Sequence, residues 1–166
     1  MLRLITGPSG VGKTVFTLKQ ILAVNGCPKY ATPICFLGFN YKKNNITKLD
    51  DLSNWFDLPP ASILFCDDAE QFLSCDIKDL PRWLKDLSLH RHKKIDIYLT
   101  SLHPLLIHHY VRSLVSEHIH CFRTSDDDLI GIRKWPRFVQ YPNSDKSWLD
   151  SELHYLKLSD FFSGVN

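Results

Sequence analysis

Eight consecutive residues near the amino terminus have the types and spacing that bind the phosphates of a nucleotide. They fit the phosphate-loop pattern G-x-x-x-x-G-K-[ST] at every fixed position, and they are Gly7, Pro8, Ser9, Gly10, Val11, Gly12, Lys13 and Thr14. Glycines let the backbone curl so that several N–H groups converge on one anion at the start of a helix. Lys13 would reach the outer phosphates, and the Thr14 hydroxyl would be a ligand of Mg²⁺. Glycine-rich turns also serve tight packing alone, but the lysine and the hydroxyl favour a nucleoside triphosphate site.

A pair of acids directly after an apolar segment is the second candidate group. Ser62–Cys66 is predicted to be a buried strand, and it runs into Asp67 and Asp68. Downstream of a phosphate loop, we expect Asp67 to hold the metal through water and Asp68 to polarise the attacking water, with Glu70 as the alternative base. The acids could instead only cap the next helix, where aspartate is favoured.

Two hydroxyl groups follow a later apolar segment, Ile95–Leu99, which is also predicted to be a strand. They belong to Thr100 and Ser101. A hydroxyl at the carboxyl end of a parallel strand points into the crevice where ligands bind. Either residue could therefore sense the terminal phosphate, or it could cap the helix that follows.

The elements that must position these residues alternate along the chain. Each helix is predicted from apolar residues recurring at helical spacing, and each strand from a short apolar run. The predicted strands are Leu2–Thr6, Ile34–Phe39, Ser62–Cys66, Ile95–Leu99 and Ile119–Phe122, and a helix is predicted after each of the first four. This order indicates an α/β fold in which a mainly parallel, five-stranded sheet is covered on both faces, in three layers.

The character of the chain changes after residue 125. We predict that residues 1–125 form the P-loop core and that residues 126–166 form a small β-rich extension of the same domain. Within the extension, short strands are predicted at Leu129–Lys134, Arg137–Tyr141 and His154–Leu158.

Composition excludes several classes of protein. A chain of 166 residues suits one domain with its own core. Its formal net charge of +2 is too small to argue for nucleic acid by itself, so direct DNA binding is only weakly supported. No apolar run is long enough to span a bilayer. The five cysteines are odd in number and lack metal-type spacing, which favours reduced thiols in a cytosolic protein.

Taken together, these segments resemble the zonula-occludens-toxin-like family, the assembly ATPases of filamentous phages. The resemblance covers roughly residues 1–125 in motif order. It is carried by the phosphate loop and by Ile63–Gln71, His90–His92, Asp96–Thr100 and Ile107–Arg112. It implies a Mg²⁺-dependent ATPase that powers virion assembly and export at the cytoplasmic face of the host's inner membrane. It also implies a homo-oligomer, a ring by analogy with related motors, and phage assembly or coat proteins as partners.

The resemblance also implies roles for individual residues. In additional-strand P-loop ATPases the sensor strand, here Ile95–Thr100, lies between the phosphate-loop strand and the Asp67 strand, which would place Thr100 beside the terminal phosphate. Motor ATPases often complete a site with an arginine from a neighbouring subunit; Arg91 is the first candidate for it and Arg112 the second. Asp68 stands where the family usually has Glu, so turnover could be slow.

Two other functions remain open at the level of sequence. A small nucleotide or small-molecule kinase would need an arginine-rich lid, and Arg133 and Arg137 have the spacing for one. The acidic pair Asp67 and Asp68 suits attack by water better. An ATP-switched adaptor that hydrolyses little would fit weak water activation by Asp68.

Overall fold

The computed structural model describes residues 1–34 and 39–159, and in this part of the chain eight strands form one sheet. In chain order they are β1 (Leu2–Thr6), β2 (Lys29–Ala31), β3 (Thr47–Lys48), β4 (Ile63–Cys66), β5 (Asp96–Ser101), β6 (Glu117–Arg123), β7 (Leu129–Trp135) and β8 (Glu152–Lys157). Their order across the sheet is β3-β2-β4-β5-β1-β6-β7-β8. The first six strands are parallel, whereas β7 and β8 are antiparallel to their neighbours.

The helical segments are shorter than the apolar patterns suggest. The α-helices of the described residues are α1 (Lys13–Leu22), α2 (Arg82–Lys85), α3 (His109–Leu114) and α4 (Asp145–Trp148). Tighter 3₁₀ segments cover Leu52–Asp57, Ala69–Gln71, Asp86–Arg91 and Pro104–Leu106. An apolar face that recurs every three to four residues suits both helix types, so periodicity cannot separate them. No described helix is long and apolar enough to cross a membrane.

Two apolar cores lie on opposite faces of the sheet, because neighbouring residues of a strand point to opposite sides. On one face, strand residues pack with α2, α3 and the segment around Trp55; this core includes Leu4, Leu64, Leu99, Trp55, Leu84 and Val111. On the other face, the packing partner is α1; this core includes Ile5, Phe65, Tyr98, Val15, Leu18 and Ile21. The predicted three-layer α/β arrangement is therefore confirmed.

The position of β5 decides how the candidate site is assembled. This strand lies between β1 and β4, with Ile5 opposite Thr100 and Cys66 opposite Leu99. All three strands are parallel, so their carboxyl ends meet at one edge of the sheet. The phosphate loop and the acidic pair are thereby placed on either side of Thr100, as the predicted order of the sensor strand requires.

The strands differ from the sequence-based expectation in two places, and a third expectation falls mostly outside the described residues. The sheet has six parallel strands instead of five, and β7 and β8 extend the same sheet. The strand predicted at Arg137–Tyr141 is wrong: the Val139 N–H donates to a ring nitrogen of His118 at 3.2 Å instead of joining a ladder. Most of the strand predicted at Ile34–Phe39 lies outside the described residues; β2 and β3 occupy that side of the sheet.

Candidate active site

The loop between β1 and α1 is crowded in a way that only glycine tolerates. Gly7 has φ +148°, and a Cβ there would lie 2.3 Å from the Cys121 carbonyl oxygen. Gly12 has φ +97°, and a Cβ there would lie 2.4 Å from Cδ1 of Ile130. The backbone can therefore curl tightly against β6 and β7 only because these side chains are missing.

Lys13 is folded back over this loop. Its ammonium group donates to the carbonyl oxygens of Gly7 and Pro8, at 3.0 and 3.1 Å, and the residue is 6% exposed. It forms no ion pair with a carboxylate of the described residues. A buried ammonium group without a negatively charged partner favours the binding of an anion. The converging N–H groups of a phosphate loop select phosphate as that anion.

Asp67 is the centre of the acidic end of the site. This carboxylate is buried, and one of its oxygens, Oδ1, accepts hydrogen bonds from the hydroxyl groups of Thr14, at 3.0 Å, and Thr100, at 2.6 Å. The Thr100 hydroxyl also accepts the Asp68 N–H at 2.9 Å, and the Asp67 N–H donates to the Thr32 hydroxyl at 3.1 Å. A hydroxyl in contact with a carboxylate is an oxygen donor set that fits Mg²⁺.

Asp68 and Glu70 bring two further carboxylates to the same cleft. Asp68 is in the left-handed backbone region, with φ +47°. Burial, followed by the negative charges of Asp67 and Glu70, raises the pKa of Asp68, and Lys13 partly opposes the shift. Glu70 accepts the Leu102 N–H at 3.2 Å through Oε1, while its Oε2 is buried without a partner among the described residues.

These groups line an open cleft of about 540 Å³ at the carboxyl edge of the sheet. Its lining residues are Ser9, Gly10, Gly12, Lys13, Thr14, Val15, Asp67, Asp68, Glu70, Gln71 and Leu102. Thr100 is completely buried behind Asp67. The neighbouring Ser101 hydroxyl donates instead to the His103 carbonyl oxygen, so Thr100 is the hydroxyl of the pair that belongs to the site.

The predicted arginines do not enter this cleft. Arg91 is exposed and lies with Met1 and Asp96 at the amino ends of the strands, so it cannot reach the site of its own chain. Its proposed action on a neighbouring subunit stays a prediction. Arg112, the second candidate, lies on α3 against the Phe138 ring.

The arginines considered for a kinase lid are engaged elsewhere. Arg133 donates to the Ser151 hydroxyl and stacks on the Trp148 ring. Arg137 pairs with Asp150 at 2.8 Å. Both side chains are bound to the carboxyl-terminal extension, and the geometry therefore gives no support to the kinase interpretation.

Arg123, the last residue of β6, was missed by sequence reasoning. Its Nη2 donates to the Ser9 carbonyl oxygen of the phosphate loop at 3.3 Å. No motif in the sequence marks this residue. Its position depends on the pairing of β6 with β1, which joins segments that are far apart in the chain.

Two buried histidines support the strand that leads into the phosphate loop. His118 accepts the Val139 N–H at Nδ1, so its Nε2 carries the proton and donates to the Thr6 hydroxyl at 2.7 Å. The Thr6 hydroxyl then donates to Nδ1 of His120 at 2.9 Å. Burial lowers the pKa of His118 to about 3 and that of His120 to about 4. Both rings are therefore neutral near pH 7.

A phosphate loop, a strand ending in acids and a sensor strand between them define the P-loop nucleoside-triphosphatase class, here of the additional-strand type. The sequence model of the family described as "Zonular occludens toxin (Zot)" matches residues 1–152, and the chain belongs to this family.

Individual relatives agree with this assignment. The putative assembly protein ORF301 of Pseudomonas phage Pf3 is 29% identical over 153 residues, which are 88% of this chain and 50% of that protein. The chain thus spans half the length of that relative. The N-terminal domain of zonular occludens toxin from Neisseria meningitidis has a similar structure, with a TM-score of 0.74 and 22% identity over 98% of this chain and 96% of that one.

A more distant structure shares the same fold. The genome packaging NTPase B204 from Sulfolobus turreted icosahedral virus 2, in complex with ATP-gammaS, superposes with a TM-score of 0.63 at 9% identity. The superposition covers 94% of this chain and 96% of that one.

Proposed function

We propose that this chain is an ATPase domain that powers the assembly and export of a filamentous phage particle. The observation that carries the proposal is the convergence of Lys13, Thr14, Asp67 and Thr100 at one edge of the sheet. Membership of the Zot family and the similarity to a putative phage assembly protein support the biological setting. The family resemblance further suggests action at the cytoplasmic face of the inner membrane, on coat or assembly proteins.

Different side chains of the site bind the phosphates and the metal ion. The loop N–H groups and the Lys13 ammonium hold the phosphates, and the ammonium exchanges its loop carbonyls for phosphate oxygens. The Thr14 hydroxyl and, through water, Asp67 would hold Mg²⁺, which supplies positive charge to the outer phosphates when bound. The Thr100 hydroxyl keeps Asp67 oriented while its own oxygen accepts the Asp68 N–H.

Hydrolysis also requires a group that activates water. In this step the water oxygen bonds to the γ phosphorus, the bond from that phosphorus to the bridging oxygen breaks, and the electron pair leaves with ADP. The water proton passes to a carboxylate, which Asp68 or Glu70 provides. Burial and the charges of Asp67 and Glu70 raise the pKa of Asp68, which makes its carboxylate a stronger base than an ordinary aspartate.

The experiment compares ATP hydrolysis by the wild type and by Lys13→Ala as a function of protein concentration. Lys19→Ala is the matched control, because it removes the same side chain from the last turn of the same helix. We expect turnover in the wild type and Lys19→Ala and none in Lys13→Ala. Turnover per subunit that rises with concentration would support an oligomeric motor. Equal activity of Lys13→Ala and the control would refute the site.

The same assay tests the predicted trans arginine. Arg91 is exposed at the opposite edge of the sheet, where a neighbouring subunit could be reached. If Arg91 completes a neighbouring site, Arg91→Ala loses turnover under assembling conditions but keeps its affinity for nucleotide. Wild-type turnover of Arg91→Ala in the assembled state would remove it as a candidate.

A further inference from the structure

Arg123 stands beside the part of the phosphate loop that borders the cleft. Strand β6 pairs with β1 on the side away from β5, and Thr6 lies opposite His120. Ser9 follows Thr6 by three residues, and Arg123 follows His120 by three residues. The guanidinium group donates to the Ser9 carbonyl oxygen at 3.3 Å, which brings a cation against the crest of the loop.

The loop residues that contact this cation also border the cleft. Ser9 and Gly10 both line the cleft, and Gly10 also lines a small groove on the other side of the loop, together with Arg123. Gly10 has φ +69°, and a Cβ there would lie 3.4 Å from Nη2 of Arg123. Because Gly10 carries no side chain, the guanidinium group of Arg123 has room beside the crest of the loop.

Arg123 has no carboxylate partner within residues 1–34 and 39–159. Arg123 is exposed, and the one hydrogen bond that its guanidinium group makes among the described residues, to a neutral carbonyl at 3.3 Å, is long. A phosphate would be a far stronger partner, because a guanidinium group can donate two parallel hydrogen bonds to it.

We propose that Arg123 is a catalytic residue that acts in cis: with ATP bound, its guanidinium group leaves the Ser9 carbonyl and contacts the terminal phosphate. There it donates to the phosphate oxygens and stabilises the negative charge that develops as the bond to the bridging oxygen breaks. This inference rests on the proposed ATPase function. It gives each chain its own arginine, in addition to any that a neighbour supplies.

The test compares Arg123→Ala with Arg82→Ala, a control that removes an arginine whose side chain is 95% exposed, on the short helix α2. Arginines that contact the transferred phosphate accelerate related reactions by about 10³ to 10⁵. We expect kcat of Arg123→Ala to fall by about a hundredfold or more, with a smaller change in KM, while Arg82→Ala matches the wild type. Wild-type kcat in Arg123→Ala would overturn the proposal.

Calorimetric affinities for ATP-gammaS and ADP give a readout that does not depend on turnover. Loss of a contact to the terminal phosphate should weaken ATP-gammaS and leave ADP unchanged, whereas a merely structural loss would weaken both equally and overturn the proposal. If the wild type binds ATP-gammaS but hydrolyses no ATP, only the ATPase function fails, and this comparison still decides the role of Arg123. Absence of all nucleotide binding would overturn both.

Mixing experiments separate cis from trans action. Lys13→Ala subunits have an intact Arg123, and Arg123→Ala subunits have an intact phosphate loop. Mixed assemblies of the two should remain inactive if each arginine serves its own chain. Recovery of activity on mixing would show that Arg123 serves a neighbour and would overturn the cis assignment.

Discussion

Lowering the pH from 7.5 to 5.0 is expected to destabilise the folded chain, because His118 and His120 are buried as neutral rings. In the unfolded chain, a histidine has a pKa near 6.5. In the folded chain, burial lowers the pKa to about 3 for His118 and about 4 for His120. The unfolded state therefore takes up protons first. The stability is fully present above pH 6.5 and is lost as the pH falls toward 4 for His120 and toward 3 for His118.

The expected loss of unfolding free energy follows from how far the pH lies below 6.5. Each pH unit below 6.5 costs about 1.4 kcal/mol per histidine until the folded ring also titrates. At pH 5.0 this amounts to about 2 kcal/mol for each of His118 and His120, or about 4 kcal/mol together. His90 and His108, whose pKa values are also lowered by burial, act in the same direction, whereas the raised pKa of Asp68 opposes it.

Urea unfolding at pH 7.5 and 5.0 measures this loss as a difference in the free energy of unfolding. His120→Asn is the informative variant: its side-chain oxygen can still accept the Thr6 hydroxyl, but it has no proton to gain near pH 6. Between pH 7.5 and 5.0, the His120→Asn variant should lose about 2 kcal/mol less unfolding free energy than the wild type. His154→Asn, which changes an exposed histidine on β8, is the control and should lose as much as the wild type.

Two results would refute this reasoning. One is a pH dependence of His120→Asn equal to that of the wild type. The other is NMR titration of the ring signals of His118 and His120 near pH 6.5 in the folded protein, which would show that the rings are not held neutral.

Three further predictions concern single side chains. Thr100→Val removes a buried hydroxyl that donates to the Asp67 carboxylate and accepts the Asp68 backbone N–H. It should cost about 1–3 kcal/mol in urea unfolding and abolish ATP turnover, whereas Thr100→Ser should retain most of both the stability and the turnover. Gly131→Ala places a Cβ 2.2 Å from the Phe122 ring, so thermal unfolding should show a loss of about 1–3 kcal/mol that Phe122→Leu partly restores. In pH–rate profiles, Asp68→Asn should lose the acidic limb of turnover if Asp68 is the base, and Glu70→Gln should lose it if the base is Glu70.

The sequence could predict the parts of the site that depend on short, contiguous segments of the chain. The phosphate loop has a fixed local pattern, and Asp67 follows a strand recognisable from its own apolar run. The phosphate loop and Asp67 could be predicted to lie close together, because the carboxyl ends of parallel strands share one edge of the sheet. The prediction that Thr100 lies between them depended on the strand order implied by the family resemblance, because no local sequence pattern gives that order.

The parts that sequence missed depend on pairing across the sheet. Arg123 contacts Ser9, and His118 contacts Thr6, over separations of 114 and 112 residues. Nothing near Arg123 in the chain distinguishes it from a surface arginine. The strand predicted at Arg137–Tyr141 failed for a related reason: a backbone N–H of this segment is bound by a histidine ring, a partner that only the fold supplies.

The separation of the two edges of the sheet restricts how copies of this chain can cooperate. Strand β5 has six residues, so about 20 Å lie between the Arg91 edge and the cleft. An Arg91 that completed another copy's cleft would have to join unlike surfaces, one edge against the other. Such a contact is heterologous, and it excludes a two-fold dimer in which both copies use the same patch. Repeated contacts of this kind must either close into a ring or continue as a helical filament, and the rotation per contact alone decides between them.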